Sequence, residues 1–165
     1  LGGSEYLKVA HGLVRGRPAP VDLARERALQ RLLVEAARDR LIRSAHDCAE
    51  GGFAVTLAEC CAESGGVGAQ VDLLAPVGPD DRFAPVRALF GEAPSRVVVS
   101  VSPEQRDRLL ACARLLSVPA SVIGHTGGDR LTISVGGEIV ASVRLDEAEQ
   151  AWAHGLSRHL EAAVA

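Results

Sequence analysis

A glycine-rich run between a polar segment and an apolar, helix-periodic segment most constrains the fold of this chain. The run extends from Ser44 to Ala54 and reads SAHDCAEGGFA. The residues 41–43 before it predict a short strand, and apolar residues after it recur at helical spacing. A strand, a tight turn and a helix start would bring partly positive N–H groups next to two glycines, where an anion can approach. The candidate phosphate- or nucleotide-proximal residues are therefore His46, Asp47, Gly51 and Gly52.

The same run has a purely structural interpretation. Asp47 is followed three residues later by Glu50, a spacing typical of a capping box, in which side chains satisfy the free N–H groups of a helix start. The two carboxylates would also repel a bare phosphate unless a metal ion or a basic neighbouring domain offset them. The spacing favours capping over ligand binding and leaves Asp47 as a candidate magnesium ligand. His46 has no identifiable partner nucleophile, so we predict no catalytic residue in this chain.

Composition narrows the class of protein. The 165 residues suffice for one domain, and the apolar fraction of 47% with 3% aromatics predicts an aliphatic core. A net charge of −3 argues against a nucleic-acid partner, and no apolar run is long enough to cross a membrane. Four cysteines without a C-x-x-C pair fit buried thiols in a reducing cytoplasm. We therefore expect a soluble, cytoplasmic single domain over residues 1–165, and the lack of methionine indicates a fragment of a longer protein.

Helix and strand patterns alternate along the chain. This alternation predicts an α/β (α+β) fold, a layered α/β/α domain with one mixed, mostly buried sheet. Capping residues and helical spacing predict helices at 4–12, 22–40, from 52, 82–89, from 103 and from 146, the last with Leu156 and Leu160 on its apolar face. Apolar runs and alternation predict strands at 41–43, 69–74, 96–101, 120–125, 131–135 and 138–143, with a Gly136-Gly137 hairpin turn between the last two.

Three separated motifs resemble one enzyme family in the same order. They are LGGSEY at 1–6, VDLARE at 21–26 and, above all, SAHDCAEGG at 44–52. Together they resemble the C-terminal part of the phosphoribosylformylglycinamidine synthases, the large synthetase subunits of purine biosynthesis. The resemblance implies a fold similar to the C-terminal domain of aminoimidazole ribonucleotide synthetase.

The resemblance also implies an activity for the complete enzyme. It would be an ATP-dependent, carbon–nitrogen bond-forming ligase that converts formylglycinamide ribonucleotide, ATP and glutamine or ammonia to formylglycinamidine ribonucleotide, ADP and phosphate. ATP and Mg²⁺ would be its cofactors, with none firmly expected on this fragment. The implied partners are an upstream ATP-binding domain of the same chain, a separate glutaminase subunit and a small accessory subunit. Because the family's catalytic residues belong to other domains, we expect the fragment alone to be inactive.

The family pattern bears on individual residues. Asp47, Gly51 and Gly52 keep the Asp-x-Ser/Thr-x-Gly-like turn of these enzymes, whereas residues 48–50 depart from the commoner Val-Ser-Asp. The chain resembles the second domain of the second half of the synthetase, which implies a pseudo-symmetric or structural site. Two alternatives remain: a scaffold or interaction domain without a ligand, or the matching domain of an ATP-using relative of the aminoimidazole ribonucleotide synthetase, selenophosphate synthetase or thiamine-phosphate kinase type.

Overall fold

The structure is a computed structural model that describes residues 1–74, 81, 83–155 and 157. They form two compact units, one of Leu1–Thr56 with Ala75–Ile123 and one of Leu57–Leu74 with Gly124–Ala165. In chain order the described elements are α1 (Glu5–His11), α2 (Leu23–Arg38), β1 (Ser44–Asp47), α3 (Gly52–Glu63), β2 (Ala69–Leu73), α4 (Ala84–Phe90), β3 (Val97–Ser100), α5 (Pro103–Leu115), β4 (Gly124–Thr126), β5 (Arg130–Val135), β6 (Glu138–Arg144) and α6 (Leu145–Ala153).

The core of the first unit lies where α2 and α5 cover one antiparallel strand pair. Strands β1 and β3 pair in the register Ala45↔Val99, and Val99 packs against the apolar cluster of the two helices. Ala36 and Ala113 are each 1% exposed, and such small side chains let two helices approach closely. The buried members of this cluster are Leu32, Ala36, Leu41, Leu109, Ala113 and Val118.

The N-termini of α1 and α2 follow the sequence signals. Ser4 caps α1 by accepting the Leu7 N–H, and Asp22 caps α2 by accepting the N–H groups of Ala24 and Arg25. These contacts satisfy N–H groups that have no partner inside the helix. The predicted caps of α1 and α2 are confirmed.

The second unit contains a four-stranded mixed sheet in the order β4-β2-β5-β6. Strand β2 runs parallel to β5 and antiparallel to β4, and β5 and β6 form an antiparallel hairpin closed at Val135↔Glu138. Alternate residues of β2 and β5 are buried, because successive side chains in a strand point to opposite faces. The predicted hairpin turn and the half-buried strand at 131–135 are confirmed.

The α/β class is confirmed, but several details of the sequence prediction are wrong. The six strands among the described residues form a two-stranded sheet and a four-stranded mixed sheet instead of one single sheet, because local patterns do not encode which distant strands pair. The first strand is Ser44–Asp47 and not 41–43, and the strand expected at 120–125 is Gly124–Thr126. Arg82, Leu156 and Leu160 lie outside the described residues. The single-domain assignment for residues 1–165 stays a prediction.

None of the helices in the described part of the chain combines the length and apolar character needed to cross a bilayer.

Two isoleucines in paired strands of the four-stranded sheet differ strongly in burial, so one serves as the control for the other. Ile133 is 2% exposed in β5, whereas Ile139 is 67% exposed in the neighbouring β6. Ile133→Ala is expected to lower the free energy of unfolding by about 2–5 kcal/mol, since it leaves a cavity in packed surroundings. Ile139→Ala should cost about 1 kcal/mol or less. Chemical denaturation of both variants measures the difference, and equal losses would contradict the burial pattern.

Candidate functional site

The run that dominates the sequence folds as a strand end followed by a turn. His46 and Asp47 are the last two residues of β1, and α3 begins only at Gly52. Asp47 therefore lies five residues before the helix and not at its N-cap. The capping box predicted for Asp47 and Glu50 is wrong, because the strand continues through residues that were expected to form the turn.

Both glycines of the run are required by the backbone. Gly51 has a φ of +77° and Gly52 a φ of +66°, in the left-handed region that side chains disfavour. A Cβ on Gly52 would also lie 2.8 Å from the carbonyl carbon of Phe90 and 2.9 Å from the carbonyl oxygen of Leu89. The start of α3 can approach the last turn of α4 only without a side chain at this position.

A carboxylate from a loop distant in sequence accepts a backbone hydrogen bond from the turn. The Gly51 N–H donates to Glu92 Oε1 over 2.9 Å, and the same oxygen accepts the N–H of Glu5, the first residue of α1, also at 2.9 Å. On the other side of the turn, the Thr56 hydroxyl contacts the carbonyl oxygens of Asp47 and Gly52 at 3.1 and 3.0 Å. The turn is thus held by hydrogen bonds from both sides.

Arg96 anchors the loop that carries Glu92. Its Nη1 donates to the carbonyl oxygen of Gly91 over 2.8 Å, and its guanidinium carbon lies 5.0 Å from the centre of the Phe53 ring, a cation–π distance. The carbonyl oxygen of Arg96 in turn accepts the Cys48 N–H. Sequence analysis missed both Glu92 and Arg96. The sequence offered one hint of their role, which is that these two charged residues flank the short loop before the clearly predicted strand β3.

A cavity of about 480 Å³ opens beside this turn, entirely within the first unit. Its walls come from the connector before α2, the start of α2, the end of β1 and the loop before β3. The lining residues are Pro18, Ala19, Val21, Glu26, Leu29, Asp47, Cys48, Ala49, Glu50, Glu92, Ala93, Pro94, Ser95, Arg96 and Val97. The structure thus combines an aliphatic wall with four carboxylates and one guanidinium.

The four candidate residues do not all meet in this cavity. Asp47 lines it, and its side chain is 75% exposed. His46 lies on the opposite face of β1, since neighbouring strand residues alternate, and its Nδ1 is 2.9 Å from the carbonyl oxygen of Asp47. Gly51 and Gly52 shape the backbone next to the cavity without lining it. Whether any of the four contacts a phosphate stays a prediction.

The electrostatics of the cavity do not favour a bare anion. The Ser95 hydroxyl donates to Glu26 Oε2 over 2.5 Å, and this bond, followed by one from Gln30, holds the pKa of Glu26 below its usual range. Glu26 is therefore ionised at neutral pH. Burial raises the pKa of the Cys48 thiol and outweighs the opposing attraction of Arg96, so this cysteine is a neutral thiol and not an activated nucleophile.

Among the residues that the structure describes, no three His, Cys, Asp or Glu side chains are grouped so that they could hold a metal ion. Asp47 would at most add one oxygen to a cation held by residues outside this set.

Comparison with known protein families assigns the chain to one of them. The model of the AIR synthase related protein C-terminal domain matches residues 1–136. The chain belongs to this family. The resemblance inferred from the three motifs is thereby confirmed, and so is the similarity of fold class to that domain.

Individual relatives share one name. The chain is 46% identical over 152 residues to the phosphoribosylformylglycinamidine synthase subunit PurL of Moorella thermoacetica, covering 92% of this chain and 20% of that protein. It is 42% identical over 158 residues to the PurL subunit of Thermomicrobium roseum, covering 94% and 20%. The chain thus spans about a fifth of the length of the curated relatives it matches.

A solved structure supports the fold. The crystal structure of phosphoribosylformylglycinamidine synthase II from Thermotoga maritima has a TM-score of 0.68 to this chain at 24% identity, covering 81% of this chain and 24% of that one. At this identity the likeness is one of fold, and it agrees with the family assignment.

Two glycines with the same φ separate the destabilisation caused by backbone strain from that caused by steric crowding at the turn. Gly51 and Gly65 both have a φ of +77°, but a Cβ on Gly51 would collide with the Val55 side chain, whereas one on Gly65 would meet nothing within 4 Å. Gly65→Ala should cost about 1 kcal/mol through strain alone. Gly51→Ala should cost about 1 kcal/mol more because of crowding. Denaturant titration measures both, and equal costs would show that the turn has room for a side chain.

Proposed function

We propose that this chain is a C-terminal-type domain of a phosphoribosylformylglycinamidine synthase. The complete enzyme would convert formylglycinamide ribonucleotide, ATP and ammonia to formylglycinamidine ribonucleotide, ADP and phosphate, with the ammonia supplied as such or by hydrolysis of glutamine to glutamate. The observation that carries the proposal is the 46% identity to a PurL subunit over 92% of the chain. Names of other relatives support it over the rival ATP-using enzymes, since further matches at 39–42% identity are also PurL subunits.

In this enzyme the chain would supply framework around a cavity and no reacting group. Its one cysteine at the cavity is a neutral thiol, and Glu92 and Arg96 are engaged in backbone and ring contacts. The groups that activate the glycinamide carbonyl oxygen of the substrate and deliver ammonia would come from other domains. His46, Asp47, Gly51 and Gly52 would then shape the edge of a pseudo-symmetric or structural site.

Nucleotide and metal would bind mainly outside this chain. Thermotoga maritima PurL has been solved with ATP, with ADP and with formylglycinamide ribonucleotide, FGAR, and we infer that the complete protein binds the same class of molecules. The described residues do not fit a magnesium site on their own, so residues of other domains would hold the Mg²⁺.

Partners follow from the same assignment. A structure of PurLQS from Thermotoga maritima is among the similar folds, with a TM-score of 0.65. We propose that the complete protein works with its own ATP-binding domain, a separate glutaminase subunit and a small accessory subunit in the cytoplasm. No membrane or nucleic-acid partner is proposed.

The first test is activity of the 165-residue chain itself. Incubated with formylglycinamide ribonucleotide, ATP, Mg²⁺ and ammonia, the purified chain is expected to form no ADP above background, because catalytic groups are assigned to other domains. The complete synthetase serves as the positive control. Turnover by the chain alone would overturn this division of labour, and an inactive complete protein would overturn the synthetase assignment.

The second test concerns Asp47. Asparagine keeps its size but is a poorer magnesium ligand, and Asp47 does not cap α3. Asp47→Asn in the complete synthetase is therefore expected to keep the fold and to shift the Mg²⁺ concentration for half-maximal activity by less than about twofold, well under the roughly tenfold that loss of a metal contact costs. Glu35→Gln, on the exposed face of α2, is the matched control. A tenfold shift in Asp47→Asn alone would make Asp47 a metal ligand.

A further inference from the structure

One carboxylate oxygen serves two distant segments of the first unit. Glu92 Oε1 accepts the N–H of Glu5, 87 residues away, and the N–H of Gly51, 41 residues away, each at 2.9 Å. Both donors lie at helix starts, where N–H groups lack partners within the helix and carry partial positive charge. Hydrogen bonds to an ionised acceptor are stronger than those between neutral groups.

Each of these two segments continues into a wall of the cavity. Gly51 directly follows Glu50, which lines it. On the other side, the segment just before α1 is joined to the connector that follows α1, because the Gly3 N–H donates to the carbonyl oxygen of Arg15 over 3.0 Å. Three residues after Arg15, this connector reaches Pro18, which lines the cavity. Glu92 lines the cavity as well, so it lies between the two walls that it joins.

We propose that Glu92 is a positioning residue whose carboxylate fills the anion-accepting place at the glycine turn and fastens the N-terminal segment to it. The turn thereby gains an internal anion, and an external phosphate reaches the Gly51 N–H only by displacing Glu92. This role concerns the cavity of the first unit by itself and goes beyond the synthetase assignment.

The loop geometry supports a fixed position for this carboxylate. Arg96 holds the carbonyl oxygen of Gly91, the residue before Glu92, and also lies over the Phe53 ring in the first turn of α3. Gly52 brings the start of α3 against the backbone of Leu89 and Phe90. These contacts place the loop next to the turn independently of the Glu92 side chain. Removing the carboxylate should therefore leave the loop in place and open a space with the shape of the missing carboxylate.

The experiment measures residue-resolved amide exchange by NMR in the 165-residue chain. In Glu92→Ala, exchange of the Glu5 and Gly51 amides is expected to rise together by about tenfold or more, the loss expected for hydrogen bonds to a charged acceptor. Glu92→Gln keeps an acceptor oxygen and should give a smaller rise at both amides. Glu35→Ala, which removes a carboxylate that accepts a bond from Arg31 on the exposed face of α2, should change neither.

Small carboxylates separate an anion role from simple packing. Sodium acetate added to Glu92→Ala should restore protection of both amides in a saturable way, whereas sodium chloride at equal ionic strength should not, and wild type should respond to neither. Inorganic phosphate should act like acetate on the variant only. Unchanged exchange, a rise at one amide alone, or a rise that acetate does not reverse would overturn the proposal. If Glu92→Ala does not fold, Glu92→Gln decides: a joint rise at both amides supports the role, and wild-type exchange rejects it.

Discussion

The close approach between the start of α3 and the end of α4 sets the geometry of the first unit. It depends on Gly52, where a side chain would clash with the backbone of Leu89 and Phe90. Because α4 ends at Phe90, this contact carries the following loop to the turn and brings Glu92 within hydrogen-bond distance of Gly51. The contribution of Glu92 to the cavity lining and its hydrogen bond to the start of α1 depend on that backbone contact.

Local signals predicted the elements well where the cause was local. The Ser4 and Asp22 caps and the alternation of β5 were correct, since each depends on residues within one or two turns of chain. Strand pairing was predicted less well. Residues 44–47 form β1 because they pair with Val97–Ser100, and the polar composition of Ser44, His46 and Asp47 carries no strand signal of its own.

At the candidate site, too, local features could be predicted from the sequence and long-range contacts could not. The need for glycine at 51 and 52 was inferred from sequence, and the positive φ angles agree with it. The acceptor at the turn was assigned to the wrong carboxylate, because a capping box is read from residues three apart, whereas Glu92 is 41 residues from Gly51. An acidic residue in a loop gives no sign, in a single sequence, of which backbone groups it will meet. The family resemblance identified the family correctly but could not supply this partner.

The path of the chain through the two units has a consequence for dissecting the protein. Each unit consists of two separate stretches, with Ala75–Ile123 of the first lying in sequence between β2 and β4 of the second. Parallel strands β2 and β5 therefore pair only after that whole stretch has been made, and closing so long a loop slows folding. No single cut in the chain releases either unit intact. A shortened version with one unit alone would need a linker in place of the whole intervening stretch, because neither truncation nor circular permutation separates two units that alternate along the chain.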